Sequence, residues 1–157
     1  MAERDMFEEI FACQQALNRR IGVDTARMTE KQQVHWLLQY SRALTQETAE
    51  LVDSLPWKWW AKYQTYDREN VRVEIVDLLH FLVSLAQVAG LSARDVHELY
   101  LKKNELNFRR QERGYTIKDE GDNAGVKLEQ KGSADRGRAR RATAGSRRVE
   151  SGGGPHV

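Results

Sequence analysis

The chain has 157 residues, one cysteine and a formal net charge of +2; this fits one domain and excludes a disulfide framework and a cysteine-based zinc site. Residues 116–157 hold nine Lys/Arg against six Asp/Glu and residues 1–115 sixteen against seventeen, so the globular part lacks the basic bias of a nucleic-acid-binding domain. No run approaches the roughly 18 apolar residues of a membrane span, and the acidic start MAERDMFEEI is unlike a signal peptide, so a soluble, cytoplasmic protein is expected.

A first helix is predicted from about Arg4 to Arg20, with Phe7, Ile10, Phe11 and Leu17 on one face. Gln15 and Asn18 on it stand i, i+3, and their amides are candidates to read the edge of a base. Cys13 has no obvious base partner and reads as a small buried hydrophobe. Gly22 and Asp24 mark a break. Thr29 then caps a second helix, with Gln32 completing a capping box, and this helix runs to about Ser54, before Pro56.

The aromatic loop PWKWWAKYQTY follows. Trp57, Trp59 and Trp60 offer flat surface on which a base could stack, or equally a packing plug under the loop. Lys58 and Lys62 beside them would meet phosphate or solvent. Asp67 caps a third helix that runs to about Ala89 and is closed by Gly90. This helix is apolar nearly all round, which predicts a place at the centre of the bundle or in a dimer interface. Ser92 and Asp95 open a fourth helix, ending near Arg113 with Gly114 as its left-handed residue. Its Tyr100, Lys103, Asn104, Asn107, Arg110 and Gln111 recur at helical spacing. They form either a phosphate-binding face, with Lys103 and Arg110 as its cations, or a solvated charged face.

After Tyr115 there is no aromatic residue, and eight of the eleven glycines lie there. Such a segment buries too little apolar surface to offset its ordering entropy. The expected organisation is an all-α domain over 1–118, an antiparallel helical bundle of about four main helices, and a disordered Gly/Arg-rich tail over 119–157. The basic patch from Arg136 to Arg148 is most simply a solvated appendage; contact with nucleic acid through the tail is the other reading.

The chemistry concentrates in two pairs of carboxylates. Glu47 and Glu50 interrupt a stripe containing Tyr40, Leu44 and Leu51, and Glu74 and Asp77 interrupt the apolar run from Val71 to Val88. Each pair is spaced i, i+3, which places both acids on one helical face. Four acids directed at a core repel one another and lose hydration, so protons or cations must neutralise them. Hard oxygen ligands point to Mg²⁺, with Mn²⁺ able to substitute. Solvent-facing acids paired with nearby bases are the alternative. Phe81, one turn after Asp77, is placed to wall the pocket, and His80 reads as a satisfied core histidine.

These residues resemble a family. Glu47-x-x-Glu50 followed by Glu74-x-x-Asp77 looks like the all-α nucleoside triphosphate pyrophosphatase superfamily, which includes the MazG proteins. The stretches ETAELVDSLPWKWW, VEIVDLLHFLVSLA and YLKKNELNFRRQERGY, with the element Gln15-Ala16-Leu17-Asn18, are similar to its dimeric dUTPase branch. The resemblance covers about residues 7–115. It implies a homodimer, or a higher homo-oligomer, that hydrolyses a nucleoside triphosphate to monophosphate and pyrophosphate, with dUTP to dUMP the favoured reaction. Glu47, Glu50, Glu74 and Asp77 would hold magnesium and carry catalysis. Gln15, Asn18 and Trp60 would contact the base. Lys58, Lys62, Lys103, Asn107, Arg110 and Tyr115 would contact phosphates or sugar. The same chemistry on a purine deoxynucleotide is a second expectation. A non-enzymatic helical module with a nucleic-acid-binding tail is a third, and it leaves the carboxylates unexplained.

Overall fold

The computed structural model describes residues 5–112, 114, 123 and 125–128. Contacts divide the chain into two compact units, Met1–Val126 and Lys127–Val157. All the described helices belong to the first unit, and of the second only Lys127 and Leu128 are described. The expected boundary at 118, most of the 119–157 tail, Arg113 and Tyr115 lie outside the described residues.

The described residues form four α-helices and no strand: α1 Met6–Arg20, α2 Glu30–Asp53, α3 Arg68–Val88 and α4 Ala93–Glu112, with a 3₁₀ turn at Thr25–Arg27. Local chemistry sets most of the ends. The Asp5 side chain accepts from the Phe7 amide at the start of α1. Thr29 and Gln32 close a reciprocal capping box on α2, satisfying two amides that the helix cannot. Asp67 accepts from the Asn70 amide at the start of α3, and Asp95 accepts from the amide and hydroxyl of Ser92 at the start of α4. Gly22 and Gly90 take positive φ just beyond α1 and α3, a conformation that costs glycine little.

Helices α2 and α3 pack chiefly against each other, α1 crosses α3, and α4 rests on α1. The core is correspondingly small. One cluster joins Phe11, Val83 and Ala93; a second joins Val23, Tyr40 and Val88, with Phe81 and Trp36 packed against it. A buried polar network lies between α1 and α3. Asn18, 1% exposed, accepts from the Tyr40 hydroxyl and donates to Ser84 and Gln87. Gln14 donates to Ser84, and its carbonyl oxygen lies 2.6 Å from His80 Nδ1.

Helix α3 is central but not enclosed: Ile75, Leu79 and Leu82 on its outer side are exposed, because α1 and α2 cover only two of its faces. Two expectations need correction. Cys13 is exposed rather than buried, since the covered face of α1 runs through Phe11, Gln14 and Asn18. His80 is exposed and hydrogen-bonded to Gln14 rather than held in the core.

Candidate metal centre

The two acidic pairs meet because α2 and α3 are packed neighbours. A carboxylate oxygen from each of Glu47, Glu50 and Glu74 lies within 4.8 Å of the other two. Glu74 is buried, 6% exposed, whereas Glu47 and Asp77 are half-buried and Glu50 is exposed. The acids therefore grade from buried to exposed instead of all pointing into a core, a correction to the expected interior site. Partial burial, then the negative charges of Glu50, Asp77 and Glu74, raise the Glu47 carboxyl above its ordinary value, as crowding of like charges requires. Asp77 belongs to the same electrostatic cluster, although no oxygen of it joins the three-acid set.

The oxygens differ in what satisfies them. Glu50 Oε1 accepts from Gln46, and Glu74 Oε1 accepts from Asn70 at 3.0 Å. Glu74 Oε2 is buried and has no hydrogen-bond partner. A bare carboxylate oxygen among like charges is costly unless a cation reaches it. Three acids from two helices, one of which carries an orphaned oxygen, fit a divalent cation of the magnesium or manganese type.

The remaining site candidates are scattered. Trp60 is exposed and stands edge-on to Trp57 and Trp59, with ring centroids at 5.9 and 5.5 Å. At 88% exposure, Trp59 rules out a plug for at least that ring. Lys58 lies over the Trp57 ring, and its amide donates to Gln64; Lys62 is exposed. Phe81 is half-buried, its ring tilted towards Tyr40 with centroids 6.1 Å apart, on the edge of the cluster of Val23, Tyr40 and Val88. On α4, Lys103 donates to Asn123 and Arg110 to Asn107, and the helix packs chiefly on α1, not on the α2–α3 pair that carries the acids.

The pairing of Gln15 with Asn18 also changes. Gln15 lines a cavity with Glu8, Gln87 and Arg94, Gln87 being also an acceptor for the Asn18 amide, while Gln14 joins Asn18 in the buried network. The buried residues of α1, Phe11, Gln14 and Asn18, step by three and then by four positions, which keeps them on one face. The alternating spacing of Phe11, Gln14 and Asn18 was a signal available for Gln14. None pointed to Asn70, because its partners lie at the end of α2 and one turn along α3.

The profile of a family described as dUTPase matches residues 6–92. The chain belongs to this dUTPase family. The matched span contains α1, α2, α3 and both acidic pairs and stops before α4. Among curated relatives, the chain is similar to the dCTP pyrophosphatase of Enterobacteria phage T4, 28% identical over a 106-residue alignment that covers 52% of this chain and 62% of the relative. It is also similar to the dCTP pyrophosphatase of Enterobacteria phage LZ5, 30% identical over 104 residues covering 51% and 60%. The chain thus spans about three fifths of the length of these relatives. No solved structure matches the chain with comparable significance. Among the described residues, no single helix is long and apolar enough to cross a membrane.

Proposed function

We propose that this member of the dUTPase family is a divalent-metal-dependent hydrolase that converts a pyrimidine deoxynucleoside triphosphate to the monophosphate and pyrophosphate. The observation that carries the proposal is the convergence of Glu47, Glu50 and Glu74 across two helices, with Glu74 Oε2 buried and bare. Family membership favours dUTP as substrate; the phage relatives, both dCTP pyrophosphatases, favour dCTP.

In this reading Glu47, Glu50, Glu74 and Asp77 hold magnesium, or manganese in its place. When bound, the ion neutralises polyphosphate oxygens and lowers the pKa of its water. Glu47, half-buried, or Glu50, exposed, orients the attacking water and accepts its proton. Trp60 offers an exposed ring for the base to stack on. Gln15 and Phe81 are further base contacts, and Asn18, whose amide is engaged by Tyr40, Ser84 and Gln87, braces that region. Lys58 and Lys62 on the loop, and Lys103, Asn107, Arg110 and Tyr115 towards the C-terminal end, supply the cations and donors for phosphate and sugar.

The protein acts as a homodimer or higher homo-oligomer. Support comes from Met6, Ile10, Val76 and Leu79, which line an apolar groove of about 480 Å³ between α1 and α3, on a surface where Ile75 and Leu82 are also exposed. Contiguous apolar surface of this kind marks an interaction site.

The decisive experiment measures pyrophosphate release from dUTP, dCTP, dTTP, dATP and dGTP with and without Mg²⁺. Release from dUTP or dCTP that needs the metal supports the proposal. A preference for a purine nucleotide would replace the substrate assignment, and no metal-dependent release from any nucleotide would overturn the enzymatic reading.

A further inference from the structure

Asn70 occupies the first turn of α3, where its backbone amide donates to Asp67. Its side-chain amide makes two more bonds, to Ser54 Oγ at 2.7 Å and to Glu74 Oε1 at 3.0 Å. Ser54 is the residue that ends α2; it is buried, and its hydroxyl donates to the carbonyl of Glu50. The Ser54 carbonyl accepts from the Asp67 amide, which closes the aromatic loop at its base. A polar cavity of about 450 Å³ beside this junction is lined by Glu50, Asp53, Ser54, Gln64, Asn70 and Glu74.

We propose that Asn70 is a positioning residue for the metal centre: by holding Glu74 Oε1 and Ser54 Oγ with one amide nitrogen, it fixes the free oxygen of Glu74 relative to Glu50. The proposal rests on the metal-binding reading given above. Its physical basis is the geometry of a carboxylate. Once one oxygen is held by a donor, the side-chain torsions are fixed and the second oxygen is aimed. Here the second oxygen is the buried, unpartnered Oε2. Ser54 stands one turn after Glu50, so the same amide also ties the end of α2, and with it Glu50, to the helix that carries Glu74. An asparagine suits this junction because its NH₂ group offers two donors and no charge; an acid would repel Glu74 and an alkyl group would leave the Ser54 hydroxyl without its donor.

The test is Mn²⁺ binding to the full chain, without nucleotide, by titration calorimetry, with folding checked by circular dichroism. Asn70→Ala is expected to raise the Mn²⁺ Kd about tenfold or more, the usual effect of removing a hydrogen-bond partner from a metal ligand. Ser54→Ala is expected to raise it by less. The double variant is expected to bind no more weakly than Asn70→Ala, because Ser54 acts through Asn70. A merely structural staple would lower the metal-free melting temperature and leave the Kd of the folded protein unchanged. A folded Asn70→Ala that binds Mn²⁺ with the unsubstituted Kd overturns the proposal. If Asn70→Ala does not fold, Ser54→Ala decides: weaker binding supports the proposal and unchanged binding overturns it. If the unsubstituted protein itself binds no Mn²⁺, the metal reading fails and the proposal with it, an outcome distinct from equal binding by protein and variant.

Discussion

Glu47 on α2 and Glu74 on α3 bring carboxylate oxygens within 4.8 Å of each other, although 27 positions separate them in the sequence. Packing of the two helices forces this approach, and the mutual repulsion is a built-in demand for a proton or a cation. Each carboxylate differs in exposure, so each responds differently to pH, metal and substitution.

The first consequence concerns pH. Burial and the charges of Glu50, Asp77 and Glu74 hold Glu47 above its ordinary 4.5. The folded state therefore binds this proton more tightly than the unfolded state. The stability it contributes is full below about pH 4.5 and is lost as pH rises through the raised folded value. Melting temperatures in chelator should fall more steeply with rising pH above that point for the unsubstituted protein than for Glu47→Gln. Parallel curves would show that Glu47 is not the group responsible.

Metal should reverse that loss. At a free concentration near 100 times its Kd, Mg²⁺ or Mn²⁺ is expected to add about 2.7 kcal/mol to the unfolding free energy. Glu74→Gln, which removes the charge and keeps the shape, should abolish most of this gain. Denaturant titrations with and without metal measure it; an undiminished gain in Glu74→Gln would place the cation elsewhere.

Catalysis is expected to be more sensitive than folding at Glu50, whose side chain is exposed. Glu50→Gln should reduce turnover about 100-fold or more with an unchanged helical circular-dichroism signal. Near-normal rates of pyrophosphate release in this variant would remove Glu50 from the reaction.

The network around Asn18 predicts the opposite pattern, a stability defect. Asn18→Ala strips Tyr40 of its acceptor and Gln87 of its donor inside the fold. Leaving buried polar groups unpaired should cost about 2–3 kcal/mol, read as a lower urea midpoint at fixed protein concentration. A loss within experimental error would mean that water or neighbouring side chains take over these bonds.

Association through the apolar groove is tested at Leu79, which lines the groove and is exposed. Leu79→Glu should shift the protein to monomers in sedimentation velocity at concentrations where the unsubstituted chain is dimeric. An unchanged assembly would move the interface to another face.

Much of the fold was legible in the chain itself. Thr29 with Gln32, Asp67, and Ser92 with Asp95 announce the helix starts, and Gly22 and Gly90 announce two of the ends, because capping is decided by neighbours within one helical turn. The two acidic pairs were legible for the same reason: i, i+3 spacing in an apolar stripe is a local pattern. What the chain did not reveal is which faces meet. Gln14 rather than Gln15 joins Asn18, Phe81 turns to Tyr40, and Asn70 bridges Ser54 and Glu74. Sequence alone determined the helices and the residue types able to hold a cation. Only tertiary packing decided that Glu74 is buried with one oxygen held and the other bare, because burial and long-range hydrogen bonds depend on which helix lies alongside, and periodicity within one helix carries no record of its neighbour.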